Sequence, residues 1–299
     1  MFAQEKLLIA GGDSRQLEVI RRLAGTGAAI YIAGFDQWAG TGLEHIHRVQ
    51  LSEAVFRECS AVILPAVGIG AAGEVDAPYS SEELTVTTNM LAAMPAEGLV
   101  ITGSVNAYLR EACSKYRLRL AEVYARDDVA ILNSIPTAEG AVMLAIQHTD
   151  ITLHGASVIV LGLGRVGMTL ARTLKNLGAT VRVGIREPEL QARAIEMGLQ
   201  PFHMNGLPEE AASADILFNT IPAMVVTAGV IGNMPPASLI VDLASKPGGT
   251  DFHAAEAAGV KAIPALGLPG KVAPRTAGRI LGDAIVEILR QELHSPQRR

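Results

Sequence analysis

The sequence predicts an α/β chain of two domains, each a parallel sheet flanked by helices, with a cleft between them. Three observations predict it. The second half repeats short apolar runs, at 157–161, 179–184, 199–202, 214–219, 238–243 and 260–264, separated by helical or loop stretches. That alternation is the pattern of a doubly wound parallel sheet, and six strands complete one. The first half alternates in the same way, less regularly, with apolar runs at 7–11, 28–34, 61–66 and 98–103. The length, 299 residues, suits one large or two medium domains and buries a substantial core. Two Rossmann-like domains follow, the second of them a dinucleotide-binding domain.

The expected boundaries are 1–135 for an N-terminal α/β substrate-side domain, 136–150 for an interdomain helix and 151–272 for the nucleotide-binding domain. LLIAG (7–11) opens the first domain as a strand. The following helix places Leu17, Ile20 and Leu23 near one face, and Gly25 and Gly27 end it. The segment 68–83, GIGAAGEVDAPYSSEE, is a long loop of the functional or mobile kind. In 135–150, Pro136 and Thr137 suit a helix start, with Glu139 in the first turn. Asp127 and Asp128 read as an acidic pair at a helix N-terminus. Beyond Pro274, Ile280, Ala284, Ile288 and Leu289 form a helical stripe over 274–295 that is expected to pack back on the first domain. The tail SPQRR is expected to fray.

Composition excludes several classes. With 49% hydrophobic and 18% charged residues, general disorder is excluded. A formal charge of −5 leaves no basic footprint for nucleic acid. No uninterrupted apolar run approaches 18 residues, so no membrane span is expected. The N-terminus shows no signal-peptide pattern. Cys59 and Cys113 have no metal-ligand spacing and read as free thiols of a cytoplasmic protein.

The chemistry centres on residues 157–168, SVIVLGLGRVGM. Gly162, Gly164 and Gly167 form G-x-G-x-x-G between a strand and a helix whose buried face is Val166, Leu170, Leu174 and Leu177. The first glycine makes the turn, the second lets the backbone approach a pyrophosphate, and the third lets helix and strand pack closely. Gly162, Leu163, Gly164, Arg165, Val166 and Gly167 are the expected phosphate cradle. The next strand ends Gly184-Ile185-Arg186 instead of in a carboxylate. An arginine pairs with a 2′-phosphate, so the expected cofactor is NADP rather than NAD. Asn219, Thr220 and Ile221 follow a later strand and are expected near the nicotinamide ribose. Ser245 and Lys246 close the strand after that.

The first glycine turn, GGDSRQ, lacks the third glycine, although Asp36 stands at the end of the next strand. Arg15, in the first turn of its helix, is an expected carboxylate anchor. Ser104 and Asn106 lie at another strand end, and Lys271 lies near the crossing back to the first domain. With Lys246, these groups suit a small carboxylate-bearing substrate.

Eight segments carry a resemblance across nearly the whole chain: GGDSRQLE, GFDQ, NAYL, RDDVAILNSIPTAEGAVMLAIQHTD, HGASVIVLGLGRVGMTLART, MGLQPFH, DLASKPGGTDF and ALGLPGKVAPRTAG. In these the chain resembles the family of dipicolinate synthase A subunits from spore-forming bacteria. The resemblance implies oxidation of dihydrodipicolinate, formed from the unstable lysine-pathway product, to dipicolinate in the mother cell during sporulation. It implies NADP as hydride acceptor, a flavoprotein-like B subunit as partner, and two substrate carboxylates for Arg15, Lys246 and Lys271 to meet. A base must take a proton; His148, His154 and Lys246 are the candidates, and the sequence does not choose among them. Two rival readings stand beside this one. In the first, the chain is a nucleotide-binding or scaffolding component, with redox chemistry in the flavin-carrying partner. In the second, it is a 2-hydroxy-acid or shikimate-type dehydrogenase. The stretch PALGLPGKVAP, which has no histidine, departs from the hydroxy-acid pattern. A homo-oligomer is left open.

Overall fold

The computed structural model describes residues 2–40 and 45–294; the tail 295–299, expected to fray, lies outside the described residues. The chain forms two compact units, Met1–Ala130 with Ala273–Arg299, and Ile131–Val272.

The first unit holds β1 (Lys6–Ala10), β2 (Ala29–Ala33), β3 (Ile46–Arg48), β4 (Ala61–Ile63), β5 (Glu74–Val75), β6 (Leu84–Thr85), β7 (Leu99–Thr102) and β8 (Arg119–Glu122). Six of these form one parallel sheet in the order β3-β2-β1-β4-β7-β8. The other two, β5 and β6, pair as a small antiparallel hairpin. The second unit holds β9 (Ser157–Leu161), β10 (Thr180–Ile185), β11 (Gln200–His203), β12 (Ile216–Asn219), β13 (Leu239–Asp242) and β14 (Lys261–Pro264). They form a parallel sheet in the order β11-β10-β9-β12-β13-β14. Both sheets therefore reverse their winding beside their first strand, at β1/β4 and β9/β12. In such sheets ligands bind at that switch point, beyond the carboxyl ends of the strands.

Both faces of each sheet are buried, which is why the central strands read as continuous apolar runs. Successive side chains alternate between faces. Leu7 and Ile9 enter one core of the first unit, Leu8 and Ala10 the other. Val158 and Val160, then Ile159 and Leu161, do the same in the second unit. The edge strands IHR (β3) and RLAE (β8) carry no such run and were not expected.

One expectation about the helices is corrected. Pro136 does not start a helix; it lies inside one continuous helix, Asp127–His148, whose first turn carries Asp127 and Asp128. A proline inside a helix frees a carbonyl one turn back. That carbonyl belongs to Leu132, a residue half exposed to water. Next to it, the hydroxyls of Ser134 and Thr137 donate to the carbonyls of Ile131 and Asn133 at 2.6 and 2.8 Å. The same helix has an 18-residue window of mean hydropathy 1.6, so by length and composition it is able to cross a membrane. The run is interrupted only by uncharged polar residues and Glu139, and Ala138, Ala141 and Ala145 on its inner face are part of a core of the second unit. Finally, the loop at 68–83 is ordered by β5 and its bond to β6, and it packs over the first glycine turn.

The last helix, Pro274–His294, packs on helix Ser14–Ala24. Leu281, Ile285 and Leu289 join Val19, Ile20 and Leu23 in one core.

Candidate functional site

The glycine turn of the second unit has an open surface. Gly162 has φ +86°, a left-handed conformation that disfavours side chains, and a Cβ there would come within 2.8 Å of Thr220 Oγ1. Gly167 packs so closely that a Cβ would lie 2.1 Å from the carbonyl oxygen of Gly162. Around Gly164, by contrast, a Cβ would meet no atom within 4 Å. Gly164 is the N-cap of helix Arg165–Asn176, and no side chain caps that helix. The first-turn amides and the positive end of the helix dipole thus face open space, which is the chemistry of a pyrophosphate site.

A cavity of about 250 Å³ adjoins this turn, lined by Gly162, Leu163, Gly164, Arg186, Glu187 and Ile221, among others. Arg186 is exposed and has no ion-pair partner among the described residues. Glu187, one residue on, is the N-cap of the next helix. The Thr220 hydroxyl donates to the Leu161 carbonyl at 2.7 Å, tying the loop after β12 to the turn. Leu163 is buried, so it offers its backbone rather than its side chain. These residues fit a dinucleotide: uncapped amides for phosphates, an unobstructed approach, and a guanidinium beyond the second strand.

Asn219 is placed differently from the expectation. It is fully buried, and its amide is used inside the protein, donating to Asp242 Oδ1 and the Ile221 carbonyl, both at 3.1 Å. It holds the loop and does not present its side chain to the cavity.

The first unit's glycine turn is filled by its own chain. Asp13 caps helix Ser14–Ala24, accepting from the Arg15 amide at 2.9 Å. The Gly12 amide donates to the Asp76 carbonyl at 2.7 Å, and a Cβ on Gly11 would strike Val75. A carboxylate and a loop carbonyl occupy the position that phosphates take in a dinucleotide-binding turn. The polypeptide thus already neutralises this helix N-terminus.

Arg15 is likewise corrected. It is 6% exposed and forked onto Asp13, with Nη2 to Oδ2 at 2.7 Å and Nε to Oδ1 at 3.0 Å. Its Nη1 donates to Tyr124 Oη at 3.0 Å. Burial pushes the Asp13 carboxyl up, but the Arg15 hydrogen bonds and charge outweigh burial and hold it below its ordinary value. A depressed carboxyl contributes stability that is complete above its unfolded pKa and lost as pH falls through the folded one. Arg15→Ala should therefore lower the unfolding free energy at neutral pH by about 2 kcal/mol. The deficit should start to shrink below about pH 4, where the unfolded chain's Asp13 takes up a proton that the folded wild type still resists, and vanish once pH falls through the folded value. Denaturant titrations at pH 7 and pH 3 check this; an equal deficit at both would remove the ion pair as the cause.

The remaining candidates divide. Asn106 is spent as a cap: Oδ1 accepts from the Leu109 amide at 3.0 Å, and Nδ2 donates to the carbonyls of Ile69 and Gly70 at 2.8 and 2.9 Å. Ser104, Lys246 and Lys271 are exposed. Lys246 follows the carboxyl end of β13, the edge that carries the glycine turn. His148 and His154 do not share that edge. Both precede the amino end of β9, and a Cβ on Gly178, just before β10, would come within 2.3 Å of His154 Cδ2. Parallel strands put that end a full strand length, roughly 13 Å, from the turn. Burial pushes the Cys59 and Cys113 thiols up to about 11, so both stay protonated at neutral pH. Sequence reasoning missed Asp13 and Asp242. Asp13 stands directly before a helix, an N-cap signal, and Asp242 ends an apolar strand.

A family profile for the N-terminal domain of the dipicolinate synthase A subunit matches residues 6–124, and one described as alanine dehydrogenase/PNT, C-terminal domain, matches residues 137–297. The chain is 46% identical over 289 residues to the A subunit of dipicolinate synthase from Bacillus subtilis (strain 168), covering 97% of each. The chain belongs to the dipicolinate synthase A-subunit family. The crystal structure of the family's Bacillus halodurans member superposes with a TM-score of 0.93 at 48% identity, covering 97% of this chain and 99% of that one. A transhydrogenase from Sinorhizobium meliloti shares the fold at a TM-score of 0.71 and 17% identity, covering 97% of this chain and 94% of that one. This family member thus carries a dehydrogenase-type nucleotide domain in its second unit.

Proposed function

We propose that this chain oxidises dihydrodipicolinate to dipicolinate with NADP⁺, as the A subunit of a dipicolinate synthase acting with a flavoprotein-like B subunit in the mother cell of a sporulating bacterium. The observation that carries the reading is the uncapped helix at Gly164 beside the exposed Arg186, in a chain of this family. When bound, the nicotinamide supplies a hydride acceptor; the ring also loses a proton, so dihydrodipicolinate and NADP⁺ give dipicolinate, NADPH and H⁺.

The chain's own part is binding and orientation. The first-turn amides of helix Arg165–Asn176 hold the pyrophosphate. Arg186 pairs with the 2′-phosphate. Lys246 and Lys271, both exposed and both in the second unit, are the cations available to the substrate's carboxylates, taking over the role expected of Arg15; Ser104 of the first unit is exposed as well. If Lys246 instead receives the proton, it does so as the neutral amine, and Lys271 is then the cation left to hold a carboxylate.

Arg186→Ala should weaken NADP⁺ binding about tenfold, roughly 1.4 kcal/mol, and leave NAD⁺ within about twofold. Glu187 offsets part of the arginine's attraction, which keeps the expected effect modest. Calorimetric titration of both nucleotides reads the ratio, and equal losses for the two would remove the 2′-phosphate contact. For the reaction itself, purified chain with freshly made precursor and NADP⁺ should form NADPH. If NADPH appears only when a flavin-loaded B subunit is present, the chain is instead a nucleotide-binding or scaffolding component.

A further inference from the structure

The carboxyl ends of β12 and β13 are joined by a buried polar cluster that the proposed reaction leaves without a role. Asp242 is 3% exposed and Asn219 fully buried. Asp242 Oδ1 accepts from Asn219 Nδ2 at 3.1 Å and from the Ala244 amide at 3.0 Å, while Oδ2 accepts from the Gly249 amide at 3.0 Å. Asn219 is satisfied in turn: Nδ2 also donates to the Ile221 carbonyl and Oδ1 accepts from the Ile221 amide, both at 3.1 Å. One carboxylate thus fixes two loops, 220–223 and 243–250. Packing closes the same junction. A Cβ on Gly249 would lie 2.3 Å from Asn219 Nδ2 and 2.5 Å from the Ile221 carbonyl oxygen.

The cluster is tied to the glycine turn as well. Thr220, next to Asn219, donates to the Leu161 carbonyl, and Ile221 lines the cavity beside Gly162. A buried carboxylate costs several kcal/mol to desolvate, and three donors are needed to offset that. Were the loops only to be packed, apolar contacts would serve without that cost.

We propose that Asp242, acting through Asn219, is a positioning residue for the nicotinamide half of the nucleotide. The glycine turn and Arg186 lie on the β9–β10 side and hold the phosphates and the adenosine. The loops after β12 and β13 lie on the other side of the switch point, where the second half of a dinucleotide is bound in doubly wound sheets. Asp242 sets the position of both loops at once, so its removal frees them together. The inference rests on the nucleotide reading above.

The test separates the two halves of the ligand. NADP⁺ and 2′-phospho-ADP-ribose, which lacks the nicotinamide, are titrated into wild-type protein and Asp242→Asn. In the variant an amide nitrogen faces either the Gly249 amide or the donors at Oδ1, so one anchor is lost. NADP⁺ affinity should fall at least tenfold, while 2′-phospho-ADP-ribose stays within twofold. Where activity is measurable, kcat should fall more than the nucleotide KM rises. Equal losses for both ligands would reduce Asp242 to a general fold element, and unchanged NADP⁺ affinity would overturn the proposal. Asn219→Ser, which spares all backbone bonds to Asp242, should show the same split and replaces the first variant if that does not fold. If wild type binds neither ligand, the nucleotide reading itself fails and this inference falls with it.

Discussion

Gly164→Ala should leave the fold intact and weaken nucleotide binding about 100-fold, roughly 2.7 kcal/mol. A methyl group there meets no protein atom within 4 Å, and Gly164 already has φ −76° and ψ −164°, which alanine adopts freely. Alanine also restricts the unfolded chain, so the melting temperature should hold or rise by up to about 2 °C. The added carbon projects into the space in front of the helix amides. A pyrophosphate approaching those amides would lose its closest contacts. Thermal melts together with titration of NADP⁺ check both halves of the expectation. Unimpaired binding would mean that the open space at Gly164 is not where phosphate sits.

Gly167→Ala should do the reverse first. Its Cβ would lie 2.1 Å from the carbonyl oxygen of Gly162, a backbone atom that no rotamer change can remove. Helix Arg165–Asn176 must then lift from β9, separating Leu170 and Leu174 from Val158 and Val160 in the core they share. The cost should be about 3 kcal/mol, with a fall of roughly 10 °C in the melting transition of the second unit. Nucleotide binding should disappear with the geometry of the turn. A variant that melts as wild type would show that helix and strand are not in contact at Gly167. Side by side, the two substitutions separate a glycine needed for ligand approach from one needed for packing.

How much of this was legible depends on where the information lies. The central strands of both sheets were readable because they are buried on two faces, so SVIVL or LIVD stands out against any helix period. The edge strands IHR and RLAE were not, since solvent covers part of them and their composition is mixed. The G-x-G-x-x-G turn was legible because each glycine answers a distinct steric demand. The role of Arg15 was not. Its charge and helix position fit an anion site equally well whether the anion is a substrate or Asp13, two residues away, and only the fold shows the fork onto Asp13. Asn219 misled in the same way: a strand-end asparagine looks available until Asp242 is seen beside it. His148 and His154 were plausible by residue type alone, and strand direction moves them to the wrong edge.

The central claim is that the second unit's glycine turn holds the nucleotide and the first unit's does not. Hydrogen exchange of the full chain with and without saturating NADP⁺ tests it most directly. Protection is expected at 161–168 and 184–190, with 10–16 and 34–37 exchanging as before. Protection confined to 10–16 and 34–37, or none anywhere, would contradict it.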